Sequence, residues 1–506
     1  MEYARREFLS DLAGAGAAVA LAGCASKTAP GGAYATRAAT PRFMWAYLAH
    51  FGMKPWYYRT QEDKREKILK SIDIVGEIIG SKVMTAFISG IILALGLSAL
   101  AAQQTVPMTM YDHAEPVKLP RLLSGLDGSP VENSEDWERR RRPELLAFFT
   151  KNVYGERPVE RPADLTFEPV GADRVYPAAN MVRRQVRLSF SGPQGRWSFM
   201  ATAFLPRTAD ASNPVPTFVL ICNRALEKYA DLDRRTKSEF FPPEEIVRRG
   251  YAVVLFKNTE LAQDEYFPSF GADGTCVLQD PPFTNDVYAS WSDGRTENSW
   301  GAISVWACGA SRVLDWIETV PELDAKRVAV VGHSRGGKTA LWAAASDSRF
   351  AMACVNDSGC CGAKLNHVAL PFAETIQQDN AVNPHWFCRA FRRFNGQDAH
   401  LPYDQHWIAA LVAPRLLYIA SASEDYGAGP WGEFLTARHA SPAWGLYDVR
   451  GLVETHPYRI GDPFHEGRVG YHLREGKHDL NLLDWKNYMD FADRHLKGRQ
   501  DCKMAK

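Results

Sequence analysis

The sequence predicts an α/β fold, a doubly wound and mostly parallel sheet with helices on both faces, over residues 119–500 of a 506-residue chain. Three observations predict it. Short apolar runs recur without polar alternation, as expected of strands buried on both faces. Helix-like stretches separate them, so successive strands run parallel and the helices form outer layers, a three-layer sandwich. One run, Val328-Ala-Val-Val331, passes through Gly332-His-Ser-Arg-Gly336 directly into a small-residue helical pattern.

The elements follow in order. Arg187–Phe190 and Phe199–Phe204 flank Gly192-Pro-Gln-Gly195 and read as an opening antiparallel hairpin. Pro216–Cys222 and Ala252–Phe256 are continuous apolar strands. Between them, Pro242–Gly250 carries proline at a helix start and glycine past its end. Ala302–Thr319 sets Trp306, Ala310, Val313, Leu314 and Ile317 on one face, an amphipathic helix. Strands at Ala353–Asn356 and Arg415–Ser421 and a final helix near Trp485–Leu496 complete the pattern. In such a sheet, active groups gather at the carboxyl ends of the strands. Here these ends carry Ser334, the loop after Asn356 and the loop after Ser421. The segment 262–299, rich in Gly, Asp and Ser, reads as a surface loop with solvated acidic side chains.

Residues 1–118 read as targeting rather than fold. In 1–30, Arg5-Arg6-Glu-Phe-Leu9 and the Ala/Gly-rich run behind it resemble a twin-arginine export signal. Leu21-Ala-Gly-Cys24 is similar to a lipoprotein cleavage box, with Cys24 as the lipid-anchored residue. Segment 31–118 has no assignable role beyond a second apolar run, 84–102, which exits through Ala99-Leu-Ala101 as a cleavable signal does. At near spanning length it also fits a transmembrane helix. A natural start at Met84 would account for two signals in one chain. Either signal exports the body, to the periplasm, the medium or a membrane anchor.

Lys plus Arg number 59 and Asp plus Glu 59, a formal net charge of zero. That gives no argument for nucleic acid or an anionic membrane surface as partner, and none for a substrate selected by long-range field. No stable protein partner is expected. Nine cysteines are too sparse for a disulfide scaffold. They read as small buried hydrophobes, with Cys360 or Cys361 as the bridge candidates in an exported chain.

The turn at Ser334 carries the chemistry. Glycines at 332 and 336 leave room where strand and helix pass closely, the layout of a nucleophile elbow that lifts a serine hydroxyl above the sheet. A serine needs a base to take its proton, and in α/β-hydrolases the chain order is nucleophile, acid, histidine. His478, in Gly476-Lys-His-Asp-Leu480 before the last helix, is the expected base, ahead of His456, His465 and His472. Two carboxylates compete for the acid: Asp357, after the strand that follows the elbow, and Asp425, after the next strong strand. Either suits an imidazole N–H, and the choice stays open. The Arg335 backbone N–H, with its guanidinium beside it, is the expected oxyanion donor, and the Asn223-Arg224 loop supplies a second. Lys338, one helical turn after Ser334, directs its ammonium to the same pocket. With no H-E-x-x-H or comparable spacing, neither a metal nor a cofactor is expected.

Gly332-His-Ser-Arg-Gly-Gly-Lys338, Asp357-Ser-Gly-Cys360, Pro384-His-Trp-Phe-Cys388, Leu401-Pro-Tyr-Asp-Gln-His406, Ala413-Pro-Arg415, Gly432-Glu-Phe-Leu435 and Gly476-Lys-His-Asp-Leu480 with Asp484-Trp485 form one set. Together they resemble the glucuronoyl esterases of carbohydrate esterase family 15, over about residues 125–498. The resemblance implies an α/β-hydrolase that works through an acyl-enzyme without a metal. Its substrate would be the ester between 4-O-methyl-glucuronic acid of xylan and lignin alcohols. It implies Ser334 as nucleophile, His478 as base, Arg335 at the oxyanion, and Lys338 and Glu374 on the uronate hydroxyls. The family's acid occurs at either of two places, held here by Asp357 and Asp425. The chain departs from the pattern at Glu424-Asp-Tyr-Gly-Ala-Gly-Pro430, where Gly427 replaces an expected sugar-contacting tryptophan and Trp431 is the candidate substitute. The stretch after Cys222 differs as well. Two rival functions share these features: another carbohydrate esterase such as an acetylxylan esterase, and a catalytically silent polysaccharide-binding relative. Intact Ser334, Arg335, Lys338 and His478 weigh against the second.

Overall fold

The computed structural model describes residues 118–192, 195–264, 296–370 and 372–497, with the backbone of 269–270 and 276–277. The chain divides into two units, Met1–Met110 with Phe267–Gln279, and Tyr111–Tyr266 with Asp280–Lys506. In the first unit the structure describes only an antiparallel pair, Ser269–Phe270 with Cys276–Val277. The export signals, Cys24, the apolar run 84–102 and most of segment 262–299 lie outside the described residues. No helix among the described residues is long and apolar enough to cross a membrane.

The second unit is built on β1 (Thr166–Pro169), β2 (Arg174–Tyr176), β3 (Met181–Gly192), β4 (Gly195–Pro206), β5 (Val215–Cys222), β6 (Ala252–Lys257), β7 (Leu323–His333), β8 (Met352–Asn356), β9 (Leu416–Ala422) and β10 (Val469–Arg474). Its main helices are α1 (Arg142–Phe149), α2 (Pro243–Arg248), α3 (Ala302–Ile317), α4 (Arg335–Ser346), α5 (Ile376–Val382), α6 (Gln405–Ala410), α7 (Pro430–Ala440) and α8 (Leu482–Ala492). The ten strands form one sheet in the order β1-β3-β4-β6-β5-β7-β8-β9-β10, with β2 also on β3. From β6 to β10 every neighbour is parallel. The expected hairpin is β3 with β4, paired from Met181–Pro206 to Gly192–Gly195.

The uninterrupted apolar runs are explained by burial on both faces. Phe218, Leu220 and Cys222 of β5, Val253 and Leu255 of β6, Ala329 and Val331 of β7, and Tyr418 of β9 share one buried cluster with Ile246 of α2 and Trp485, Tyr488 and Phe491 of α8. The alternate residues, among them Val219, Ile221, Val254, Val330, Val355 and Ile419, point to the opposite face and are equally buried. That face is covered by α3 and α4, which also pack on each other. The three-layer sandwich follows directly.

The helix at Ala302–Ile317 is amphipathic as expected, with Ser304, Ser311, Arg312 and Asp315 on its polar side, but that side is buried too. Its charges are paired there: Arg312 Nε donates to Asp315 Oδ2 at 2.6 Å, and Arg349 Nη1, from the loop after α4, to Asp315 Oδ1 at 2.6 Å. Strand β10 was not expected, because Gly470, His472 and Arg474 break its apolar run, yet all six of its residues are buried. Asp484 of α8 makes this tolerable by taking His472 Nε2 at 2.9 Å and Arg474 Nε at 2.9 Å.

The chain leaves β5 for β6 on one side and returns to β7 on the other. Connections diverge there, so a crevice opens at the carboxyl ends of β5 and β7. Those ends carry Asn223-Arg224 and His333-Ser334.

Candidate active site

Ser334 sits between β7 and α4 at φ 60°, ψ −125°. Its amide donates to the Asn356 carbonyl of β8 at 2.9 Å, and its own carbonyl accepts from the Gly337 and Lys338 amides at 2.8 and 3.1 Å. The glycines around it are not equivalent. A Cβ on Gly332 would lie 1.9 Å from the Gly336 carbonyl oxygen, and one on Gly337 2.8 Å from that of Asn356. At Gly336 the nearest atom would be the Ile221 oxygen at 3.2 Å, a tight contact rather than a forbidden one.

Loops after β9 and β10 bring the histidine and a carboxylate together. His478 Nδ1 lies 2.5 Å from Asp425 Oδ2. An ionised carboxylate only accepts, so Nδ1 carries the proton and Nε2 is the unprotonated nitrogen. The loops themselves are tied: Ser423 N donates to the Arg474 carbonyl at 2.9 Å and Glu424 N to that of Gly476 at 2.8 Å. The His478 ring packs 4.4 Å from the ring of His333, the residue before Ser334.

Asp357 takes a different place. It follows β8 at φ 41°, and its Oδ2 accepts from Arg474 Nη2 and the Asp479 amide, each at 3.2 Å. Its Oδ1 is buried without a hydrogen-bond partner among the described residues. Burial, and then the neighbouring Asp425, push its carboxyl well above the usual carboxylate range against the pull of Arg474. The two candidate acids and His478 nevertheless gather in one cluster, with donor atoms within 4.8 Å of one another.

The cations beside Ser334 are matched by buried acids. Arg335 heads α4, so its amide is among those a helix leaves without an internal acceptor. Its guanidinium pairs with Asp264 and reaches the Asn223 carbonyl at 3.4 Å. Asp264 also accepts from Trp386 Nε1 at 3.0 Å. Burial raises the Asp264 carboxyl, but Arg335, His385 and Trp386 outweigh it and hold it at about 2. Asp264 therefore departs from the expectation of solvated acids in segment 262–299; only its position beside an arginine, invisible in one dimension, marks it. Lys338 is buried as well: Nζ donates to the Ser358 carbonyl at 2.7 Å and lies 3.6 Å from Asp379, beside the Trp386 ring.

Sequence reasoning missed His333. Arg224 Nη2 lies 2.8 Å from its Nε2 and Asn356 Oδ1 2.6 Å from its Nδ1. A guanidinium only donates, so Nε2 accepts and the ring is neutral. Burial, and then His478, push it well below its ordinary value. The Asn223 side chain donates to the His333 carbonyl at 3.0 Å. The side chains of the expected oxyanion loop are thus spent on bracing the elbow.

Glu374, half-buried, is hung from the Gly427 carbonyl by its amide at 2.9 Å, and its carboxylate approaches Gly359. Trp431, at the start of α7, packs 5.0 Å from Tyr458 and 5.4 Å from Phe434, with the Arg438 guanidinium 5.8 Å above it. The other late histidines go elsewhere. His456 stacks on Phe464 at 4.1 Å, His465 meets the Tyr418 hydroxyl at 2.7 Å, and His472 is bonded to Asp484. Among the described residues, two groups have metal-ligand types in reach: Asp357, Asp425 and His478, and Cys360, Cys361 and Asp379. The first is already joined internally by the Asp425–His478 bond, and the second faces the Lys338 ammonium.

The family model described as "Glucuronyl esterase, fungi" matches residues 243–447. Carbohydrate esterase MZ0003, from an unknown prokaryotic organism, is 33% identical over 416 residues, 77% of this chain and 92% of that protein. The 4-O-methyl-glucuronoyl methylesterase of Schizophyllum commune is 27% identical over 74% of this chain and 84% of its own length. Among solved structures, a promiscuous CE15 esterase from a marine bacterial metagenome aligns with a TM-score of 0.65 at 31% identity, covering 76% of this chain and 99% of that one.

Proposed function

The chain belongs to the glucuronoyl esterases of carbohydrate esterase family 15, and from that premise we propose that it hydrolyses the ester joining 4-O-methyl-glucuronic acid of xylan to lignin alcohols, through an acyl-enzyme on Ser334. Ser334 Oγ attacks the ester carbonyl while His478 Nε2 takes its proton. Asp425 holds the Nδ1–H and steadies the imidazolium. The Arg335 amide and guanidinium face the oxyanion. His478 then protonates the departing alcohol, and water, activated by the same histidine, releases the uronic acid. Lys338 and Glu374 receive the uronate hydroxyls, and Trp431 takes the part of the tryptophan absent at Gly427.

The observation that carries this assignment is the 2.5 Å contact between His478 and Asp425, with the histidine ring packed 4.4 Å from that of His333, the residue before Ser334. Asp357 is a poorer acid: it already serves Arg474 and Asp479, and burial with Asp425 beside it disfavours its charge. We place the mature enzyme outside the cytoplasm, exported by one of the signals in residues 1–118, with Cys24 as anchor where the first is used.

Hydrolysis of benzyl glucuronate tests the substrate. Wild type should release benzyl alcohol and Ser334→Ala should not. Acetate release from acetylated xylan without glucuronate ester cleavage would replace this function by an acetylxylan esterase. Equal inactivity of wild type and Ser334→Ala on both substrates would leave a polysaccharide-binding role.

A further inference from the structure

The turn after β8 holds two adjacent cysteines whose thiols meet. In an extended chain successive side chains point to opposite sides. Cys361 instead takes φ 58°, a conformation that a residue with a Cβ adopts only when its surroundings impose it. The two sulfurs then lie 3.5 Å apart, both buried.

This pair is wired to the site. The donor atoms of Cys360, Cys361 and Asp379 lie within 4.8 Å of one another, and Asp379 faces Lys338 at 3.6 Å. Lys338 Nζ is anchored on the Ser358 carbonyl, two residues before Cys360. The turn is stiff: Glu433 Oε1 accepts from the Ser358 and Gly359 amides at 2.8 and 2.9 Å, and the Gly359 carbonyl accepts from Gly362 and Lys364 at 3.0 Å. The Tyr154 hydroxyl donates to the Cys361 carbonyl at 3.3 Å. A change of geometry at 360–361 is therefore passed to the Lys338 anchor. Burial pushes the Cys361 thiol up, which slows but does not prevent its exchange with an external disulfide.

We propose that Cys360 and Cys361 are a modification site, closing into a reversible vicinal disulfide that repositions Lys338 and lowers affinity for the uronate; the second half rests on the role proposed above for Lys338. One S–S bond forms and two S–H bonds break. The two electrons and two protons pass to a small-molecule disulfide, whose own S–S bond breaks to give two thiols. Neighbouring Cα atoms are about 3.8 Å apart, below the usual ~4.4–6.8 Å of a disulfide, so the bond is strained and readily reduced. That suits a labile device better than a structural brace.

The full chain is incubated with oxidised glutathione, denatured and alkylated, and the peptide carrying both cysteines is weighed, with kinetics on benzyl glucuronate in parallel. The expected peptide is two hydrogens lighter and unalkylated. The expected KM is raised about threefold or more with kcat within about twofold, reversibly on reduction. Cys360→Ser and Cys361→Ser should each keep their KM through the same treatment. Two alkylated cysteines, or either one bonded to glutathione or another cysteine, overturns the site. A closed bond with unchanged KM overturns its coupling to Lys338. The mass shift is read without turnover, so a failure of the proposed esterase activity leaves that result standing.

Discussion

Arg335 and Asp264 show how a buried carboxylate beside Ser334 is matched by a half-buried guanidinium. The Asp264 side chain is 5% exposed and its carboxyl is held at about 2. A folded-state value below the unfolded one, near 3.8, adds stability above pH ~4, which is lost as pH falls through about 2. The shift corresponds to roughly 2 kcal/mol. Asp264→Asn should therefore unfold in urea about 2 kcal/mol more easily near neutral pH, the gap closing toward about pH 2. A gap that stays constant over that range would refute the pairing. At this scale the sequence singled out groups with local signatures, Ser334 in its glycines and His478 before the last helix, and the structure brings both to the ends of the strands. Asp264 and His333 escaped because their roles come from contacts across 71 and 109 positions, which no spacing rule encodes.

Where β7 meets α4, close passage of backbone imposes the elbow. A φ of 60° at Ser334 costs of order 1–3 kcal/mol and persists only under packing that over-determines it. That packing needs no side chain at Gly332, where a Cβ would strike backbone at 1.9 Å. Gly332→Ala should lose about 3 kcal/mol or more, or fail to fold, while Gly336→Ala should lose clearly less. Thermal unfolding ranks them, and an equal loss would contradict the geometry. Elements were legible in proportion to their apolar content. β5, β6, β7 and β9 stood out as uninterrupted runs, whereas β10 hid behind His472 and Arg474, whose burial depends on Asp484 one element later. Helix α7 was equally silent, since Glu433 in its core is an acid that only the folded loops can satisfy, with Ser358, Gly359 and Ser421 as donors.

Across the whole molecule, the sheet order places the ends of β5, β7, β8, β9 and β10 along one edge. Buried carboxylates there match buried cations, consistent with a formal net charge of zero. A neutral ester gains nothing from a long-range field, so kcat/KM should change by less than about twofold between low and high salt. A steep fall with salt would point to a charged docking surface. The fold class was legible because strand burial on two faces is a one-dimensional pattern. The proposed acid was not, because both Asp357 and Asp425 end neighbouring strands and only the loop after β10 sets His478 beside Asp425.

The most direct measurement compares kcat on benzyl glucuronate for wild type, Asp425→Asn and Asp357→Asn at one pH. With Asp425 orienting His478, its amide variant should lose about 10³–10⁴-fold in kcat, and the Asp357 variant, which keeps the Asp425–His478 contact, less than about tenfold. A loss at Asp357 equal to or larger than that at Asp425 would contradict the account.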